Sequence, residues 1–334
     1  MSLFRRTPAT ESSHPITYFW RWWMERGRAI SPHERSPLSG ELARRVAAIH
    51  PDLDWHFGPG ESSAHRLTVS AGGNAELRPI AERWRRAAPA ADDVWEYRSS
   101  QARDAHAVNQ QLELASGRVD LSTTTFSVRS DDDRLRVDLG VYNSAFGELT
   151  GDDPYRVVFL LLDWLLGEDD VERWVGGVEV LTSPPEHPVD GDAVLRAVAA
   201  VADRADPDQW SVGTWEDRKG RPHLASFRLA LRWIDHPTFD RHYALHVRYA
   251  ARRDGLPKDL TALRAPEDEL ESALGTGGLL VGHETGSGTR TFHVYADSED
   301  QNVDDRIVRW AKSSHVGVEV SQDPAWREVR HFLR

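Results

Sequence analysis

Fifteen histidines and no cysteine set the terms for any chemistry this chain can perform. Without a thiol there is no Cys nucleophile, no disulfide and no Cys-held zinc or iron–sulfur cluster. Metal binding would then fall to His and carboxylates. His242 and His246 have the i, i+4 spacing of a helical zinc pair. Their surroundings, however, alternate: Tyr243, Leu245, Val247 and Tyr249 stand against polar neighbours, which predicts a strand. At a rise of about 3.4 Å per residue the two rings would lie about 13 Å apart, too far to share an ion. No Glu follows His242 either, so no metal ligands are assigned.

Nucleophilic catalysis finds no signature. There is no Gly-x-Ser-x-Gly elbow and no Ser-x-x-Lys. Gly275-Thr-Gly-Gly278 and Gly286-Ser-Gly288 are glycine-rich, but neither matches a dinucleotide or Walker pattern. A strand pattern follows Gly288, which predicts a hairpin turn and leaves no helix N-terminus to hold a phosphate. No catalytic residue and no cofactor is therefore assigned.

Two short phrases are alike, Val94-Trp-Glu-Tyr-Arg98 and Thr214-Trp-Glu-Asp-Arg218. On a strand, Glu and the Arg two positions on share one face. Glu96 with Arg98, and Glu216 with Arg218, are thus expected to form structural ion pairs, or else a binding pair beside Trp95 and Trp215. Trp20, Trp22 and Trp23 cluster near the N-terminus. Helical spacing buries Trp20 and Trp23 and turns Trp22 outward, where it could anchor a protein contact. The candidate binding residues are Trp22, Trp95, Glu96, Arg98, Trp215, Glu216 and Arg218.

These residues need elements to position them. Residues 1–13 read as a disordered lead-in. Ile16, Phe19, Trp20 and Trp23 follow helical spacing, with Pro15 in the first turn, and a second helix follows Ser39. Leu67, Val69 and Ala71 mark a strand, then Gly72-Gly73 a turn and Leu77–Trp84 a helix in which Pro79 points to a later start. The acidic turn Asp131–Asp133 joins two strands. Asp153-Pro154 and Gly167 bracket a buried helix, and a strand is expected over 171–181.

Thr182-Ser-Pro-Pro-Glu-His-Pro188 has the composition of a linker. The expected organisation is an N-terminal domain over 14–182, a linker at 183–188 and a C-terminal domain over 189–334. In the second half, Asp190 caps a helix, strands surround 224–234 and 242–250, and a helix opens at Pro266. A hairpin follows at 279–296, then a helix in which Ser298 and Gln301 form a capping box, and a strand through Val316, Val318 and Val320. Residues after Pro324 form a short helix. The fold class is α+β: two domains, each a mostly antiparallel sheet with helices packed on one face. Strand, strand, helix and strand over 279–320 give the C-terminal part a ferredoxin-like pattern.

Charge excludes further classes. The 334 residues carry a net charge of -12, spread as -8 over the first 188 and -4 over the rest. Neither half supplies the clustered positive potential that nucleic acid or an anionic membrane requires. Only three of the 41 basic residues are Lys (Lys219, Lys258, Lys312), a bias of GC-rich bacterial genomes and not a sign of phosphate recognition. The most apolar stretch, Val157–Leu166, is far shorter than the ~20 residues of a membrane span. Without an apolar run after Arg5 and Arg6 no export signal is expected, and the expected location is the bacterial cytoplasm.

From Trp210 onward the chain resembles a bacterial family named domain of unknown function 695. The phrase Gly278-Leu-Leu-Val-Gly-His-Glu-Thr-Gly-Ser-Gly-Thr-Arg-Thr-Phe-His-Val-Tyr295 carries the resemblance, with Gly255-Leu-Pro257 and Asp323-Pro-Ala-Trp-Arg-Glu-Val329. Arg173-Trp-Val-Gly-Gly-Val-Glu-Val180 resembles a module that accompanies such domains. The resemblance implies no activity, cofactor or catalytic residue. The expected function is a non-catalytic protein-interaction, regulatory or immunity-type module whose acidic surface suits a partner with a basic surface. The alternative is a small-ligand binder or hydrolase with its site between the two domains, and a third is a structural protein associating through sheet edges.

Overall fold

The computed structural model describes residues 14–32 and 37–333, so the expected lead-in over 1–13 lies outside the described residues. The chain forms two compact units, Met1–Ser100 and Gln101–Arg334. The boundary falls at the start of the polar stretch after residue 100, and the Pro-rich segment 183–188 lies inside the second unit.

The first unit is organised by its tryptophans. Helix α1 (Pro15–Glu25) buries Ile16, Phe19, Trp20, Trp22 and Trp23. Trp22 is only 4% exposed, so the outward anchor expected from helical spacing is not formed. The second helix, α2 (Pro37–Ile49), packs on α1 and sets the Arg45 guanidinium 5.3 Å from the Trp22 ring centre. That cover converts an outward position into a buried one. Strands β1 (Asp54–Pro59) and β2 (His65–Ser70) pair antiparallel. Helix α3 (Arg78–Arg86) then crosses to β3 (Trp95–Arg98), which runs parallel to β2. Parallel neighbours require such a crossover. Pro79 lies in the first turn of α3, where its missing N–H costs nothing. Three of the indoles find partners: Trp20 Nε1 donates to the Trp84 carbonyl (2.8 Å), Trp23 Nε1 to the Tyr97 hydroxyl (2.8 Å) and Trp95 Nε1 to the Arg28 carbonyl (3.2 Å), while among the described residues Trp22 Nε1 and Trp84 Nε1 are buried without one.

The second unit contains two larger sheets. A small hairpin, β4 (Gln111–Leu114) with β5 (Gly117–Asp120), precedes them. In the first sheet, β6 (Thr125–Asp131) and β7 (Arg136–Tyr142) form the expected hairpin. Helices α4 (Asp153–Leu166) and α5 (Glu168–Trp174) lead to β8 (Val175–Val180), parallel to β7. The strand expected over 171–181 therefore starts late. Gly167, at φ 90°, ends α4, and Glu168, Asp169 and Asp170 favour a new helix N-terminus. Helix α6 (Gly191–Ala202), capped by Asp190, adds Val194 and Val198 to the core of Val137, Leu139, Val141, Val157 and Leu161. Residues on both sides of segment 183–188 thus share one core.

The second sheet has six strands and is antiparallel throughout. Its members are β9 (Trp210–Glu216), β10 (Pro222–Arg228), β11 (Arg241–Arg248), β12 (Gly278–Gly286), β13 (Thr289–Ala296) and β14 (Gly317–Gln322). Helix α7 (Arg264–Leu274) follows β11 and helix α8 (Gln301–Ser313) follows β13. Spatial order is β14-β11-β13-β12-β10-β9. The run β11-α7-β12-β13-α8-β14 with order β14-β11-β13-β12 is the split β-α-β arrangement of ferredoxin-like folds, extended by β10 and β9. Tyr243, Leu245, Phe292 and Val294 pack against Leu270, Leu274, Val303 and Ile307 of the helices. Asp300, not Ser298, caps α8 by accepting from Asn302 N (2.9 Å), while Ser298 Oγ donates to Asp240 (3.0 Å). After β14 the chain closes in a short 3-10 helix, Arg327–Leu333. Among the described residues no helix is long and apolar enough to cross a membrane.

Candidate functional site

The residues singled out by sequence fall into two groups. In the first unit Trp95 is buried and Glu96 is 6% exposed. Glu96 accepts from the backbone N–H of Glu61 (3.0 Å) and Ser62 (3.1 Å), while Arg98 pairs with Glu61. The Glu96–Arg98 bridge is therefore replaced by a clamp on the β1–β2 loop. Burial pushes the Glu96 carboxyl up, but the two N–H groups and the charges of Arg98 and Arg66 outweigh it and hold it below its ordinary value.

In the second unit the other phrase lies on the β9–β10 hairpin. Trp215 is 39% exposed and stacks on His223, with ring centres 5.3 Å apart. Glu216 and Arg218 are exposed, and among the described residues no ion pair joins them. Asp217 pairs with Arg221 (2.6 Å) instead. The Ser287 hydroxyl lies 3.4 Å from His223 Nε2, and Asp217 lies 3.8 Å from that same nitrogen. A hydrolytic relay needs the acid on the opposite ring nitrogen. This arrangement is a turn contact, with Ser287 and Gly288 both at positive φ in the tight hairpin.

The feature with recognition chemistry is a small, solvent-open cleft in the second unit, of about 80 Å³. Phe227 and Val281 line it from the sheet, and Trp326, Val329 and Phe332 from the C-terminal segment. That segment is tied down: Tyr295 donates to Asp323 (2.6 Å), Trp326 Nε1 to the Phe239 carbonyl (2.8 Å), and His331 meets Glu284. Phe332 stacks on Phe227 at 5.2 Å and 8°, and Trp326 on Tyr295 at 4.5 Å and 23°. In these pairs the ring faces pack on one another, and all four rings are buried, so they fasten the C-terminal segment to the sheet.

The remaining wall is cationic. Arg136, at the start of β7, is half-buried, and Arg232, after β10, is 2% exposed. Among the described residues, no carboxylate lies within ion-pair distance of either. Arg232 is held by carbonyls alone: its Nε donates to Arg173 (3.3 Å), Nη1 to Leu229 and Leu231 (3.2 Å), and Nη2 to Arg134 (3.1 Å) and Leu135 (3.4 Å). Burial and then the neighbouring Arg136 push Arg232 down to about 9. Arg136 uses only Nη1, on the carbonyls of Glu172 (2.6 Å) and Val175 (3.2 Å). Glu172 itself accepts from Trp233 Nε1 at 2.7 Å. The wall therefore carries two guanidinium groups without a direct ion pair among the described residues, while the Glu172 carboxylate, in the same lining, acts on both and Asp235 acts on Arg232 from a greater distance.

Next to the cleft, the sheet face under the C-terminal segment carries histidines. His242 Nε2 and His293 Nδ1 are 3.0 Å apart with nearly parallel rings, and His293 also meets Phe332 edge-on. Burial pushes His242 down to about 4; burial and then the charge of His242 push His293 down to about 3. Both are neutral near pH 7 and serve as packed polar groups. Among the described residues, no group of three or more His, Asp or Glu is placed to hold a metal ion.

Comparison with known proteins finds no matching family model, no matching curated protein and no matching solved structure. The site residues Arg136, Arg232, Phe227 and Trp326 are scattered over almost 200 positions of sequence and share no motif. The nearest sequence signal was the phrase Asp323–Val329, which forms the segment that closes the cleft.

Proposed function

We propose that this chain is a non-catalytic recognition protein of the bacterial cytoplasm, and that its second unit binds a negatively charged ligand in the cleft. One observation carries the reading: Arg136 and Arg232 line a solvent-open cleft, and among the described residues neither is in ion-pair contact with a carboxylate, Glu172 in the same lining acting on them only from a distance. Taking guanidinium groups out of water without a counter-charge is costly, and a bound anion would offset that cost. The ligand-binding alternative drawn from sequence is thereby taken up, with the cleft in place of a site between domains. The test is thermal unfolding with a panel of small organic anions and their neutral isosteres. A binding anion at a hundredfold excess over its Kd should stabilise by about 3 kcal/mol, and the isosteres should not. Equal stabilisation by the neutral compounds would sink the reading.

A second reading, an interaction or immunity-type module engaging a protein with a basic surface, is supported by the net charge of -12 and by β14, an exposed edge strand carrying Val318 and Val320. Edge strands are ready templates for a partner strand. Kinship with domain of unknown function 695 belongs to the proposal as well; the phrase that carries the resemblance forms the β12–β13 hairpin.

A further inference from the structure

We propose that two copies of this chain pair through the outer faces of their α4 helices, antiparallel, about a two-fold axis between Phe159 and Leu160. The helix is apolar nearly all round, Tyr155-Arg-Val-Val-Phe-Leu-Leu-Leu-Asp-Trp-Leu-Leu166. A helix of that kind calls for cover on both of its sides. The second unit covers only one. Val157, Val158, Leu161, Leu162, Leu165 and Leu166 are buried, whereas Tyr155 is 50% exposed, Phe159 46% and Leu160 37%. Single exposed apolar side chains are ordinary, but three on one helix form a patch of roughly 300 Å². No residue of α4 lines the cleft, so this face is separate from the anion site.

The charges decide the occupant. Arg156 and Asp163 are seven residues apart, about two helical turns, and so lie on the same side of α4 as Phe159 and Leu160. Reversing the helix about its midpoint sets Arg156 opposite the partner's Asp163, Phe159 opposite the partner's Leu160 and Tyr155 opposite the partner's Trp164. The two-fold axis makes the ion pair twice. Both charges are open to it. Asp163 is half-buried, and among the described residues no cation lies within ion-pair distance of it and no donor reaches its carboxylate. Burial and then the charge of Glu168 push Asp163 up to about 7, the mark of a carboxylate that lacks a counter-charge. The Arg156 side chain is 77% exposed and meets Asp153 at 3.7 Å. Such a surface pair is given up at little cost. A lipid surface would leave Asp163 without a counter-charge, whereas a second copy supplies it. The patch falls well below the ~800 Å² per partner of a standard interface, so the dimer is weak and depends on concentration.

Sedimentation velocity of the full chain from about 1 μM to about 0.5 mM should show a monomer–dimer equilibrium that salt weakens. Arg156→Asp and Asp163→Arg should each weaken the dimer about tenfold or more, because each sets like charges face to face. Mixing the two variants should restore association as heterodimers, in which every facing pair is again of opposite charge. Should Asp163→Arg fail to fold, cross-linking carries the test. The chain has no cysteine, so the thiol introduced by Leu160→Cys can be bridged only between copies. It lies beside the axis, and a short bis-maleimide should join it at concentrations where Val212→Cys, 72% exposed on edge strand β9, is not joined. A chain that stays monomeric up to about 0.5 mM overturns the proposal. So do charge variants that dimerise like the parent, or single losses that mixing does not restore. A monomer that floats with phosphatidylcholine–phosphatidylglycerol vesicles, and stops doing so as Phe159→Gln, would give the face to a membrane and overturn it as well.

Discussion

Glu82 in the first unit and Arg232 in the second are both almost wholly buried, at 5% and 2% exposed, yet they are met by different partners. Glu82 accepts from Arg85 Nε (2.9 Å), Arg86 Nε (3.1 Å) and Ser99 Oγ (2.7 Å). Burial raises its pKa, but these hydrogen bonds and the Arg85 charge prevail and hold it below the ordinary value. Arg232 donates only to carbonyls, and the carboxylates of Asp235 and Glu172 act on it only from beyond ion-pair distance. A counter-ion cancels charge as well as satisfying hydrogen bonds. Carbonyls do only the second, so the field of the guanidinium persists in its surroundings. The contrast separates a charge that serves packing from one that remains available to a ligand.

The buried histidines extend the contrast, and acid should separate the units most strongly. Burial pushes His242 down to about 4. It also pushes His283 and His293 down to about 3, the first with the Arg290 charge and the second with the His242 charge. Near 6.5 the unfolded chain binds protons that the folded chain refuses, so stability falls with pH from about 6.5 and the loss is complete near pH 3. At pH 4.5 the expected loss is on the order of 5 kcal/mol, most of it in the second unit, since in the first only His56 is pushed down, by burial and the Arg66 charge. Hydrogen exchange in urea, read peptide by peptide, checks this: β11 and β13 should lose protection at lower urea at pH 4.5 than at 7.5, by more than β2 and α3. An equal loss in both units would break the contrast.

Arg232→Met comes next. The substitution strips donors from five carbonyls in a buried setting, a loss only partly offset by removing the charge. Chemical denaturation should show a cost of about 4 kcal/mol. A variant as stable as the parent would mean that the carbonyl collar does not compensate the buried guanidinium.

Much of the fold was legible because local rules and packing agreed. The β6–β7 hairpin, α4 between Asp153-Pro154 and Gly167, and the strand character of His242 and His246 all followed from periodicity and turn chemistry. The ferredoxin-like order in the C-terminal part was visible in the succession of its last elements. Trp22 was misread because a helix wheel does not know that Arg45 of a second helix will cover the outward position. The strand expected from residue 171 begins only at Val175, because the acidic run that starts a helix carries it through Trp174 before Val175–Val180. The cleft was invisible for a deeper reason. Arg136, Arg232 and Trp326 become neighbours only when two sheets and the chain end meet, and one Arg among 38 carries no local mark.

The same distinction gives the smallest and cleanest test at Glu96, a residue that sequence marked as a binding candidate and the fold uses as a loop clamp. Glu96→Gln keeps shape and one acceptor oxygen while removing the charge that strengthens the bonds from Glu61 and Ser62. The expected cost at pH 7 is about 1 kcal/mol. Because the folded carboxyl titrates below its ordinary value, the benefit of its charge is present above the unfolded pKa, near 4.5, and is lost as pH falls through the folded one. Parent and variant should therefore differ in urea midpoint at pH 7 and converge in acid. Stabilisation of Glu96→Gln by a small organic anion that binds the parent should be unchanged. A variant that loses ligand affinity while keeping its stability would return Glu96 to a binding role and break the assignment of recognition to the second unit.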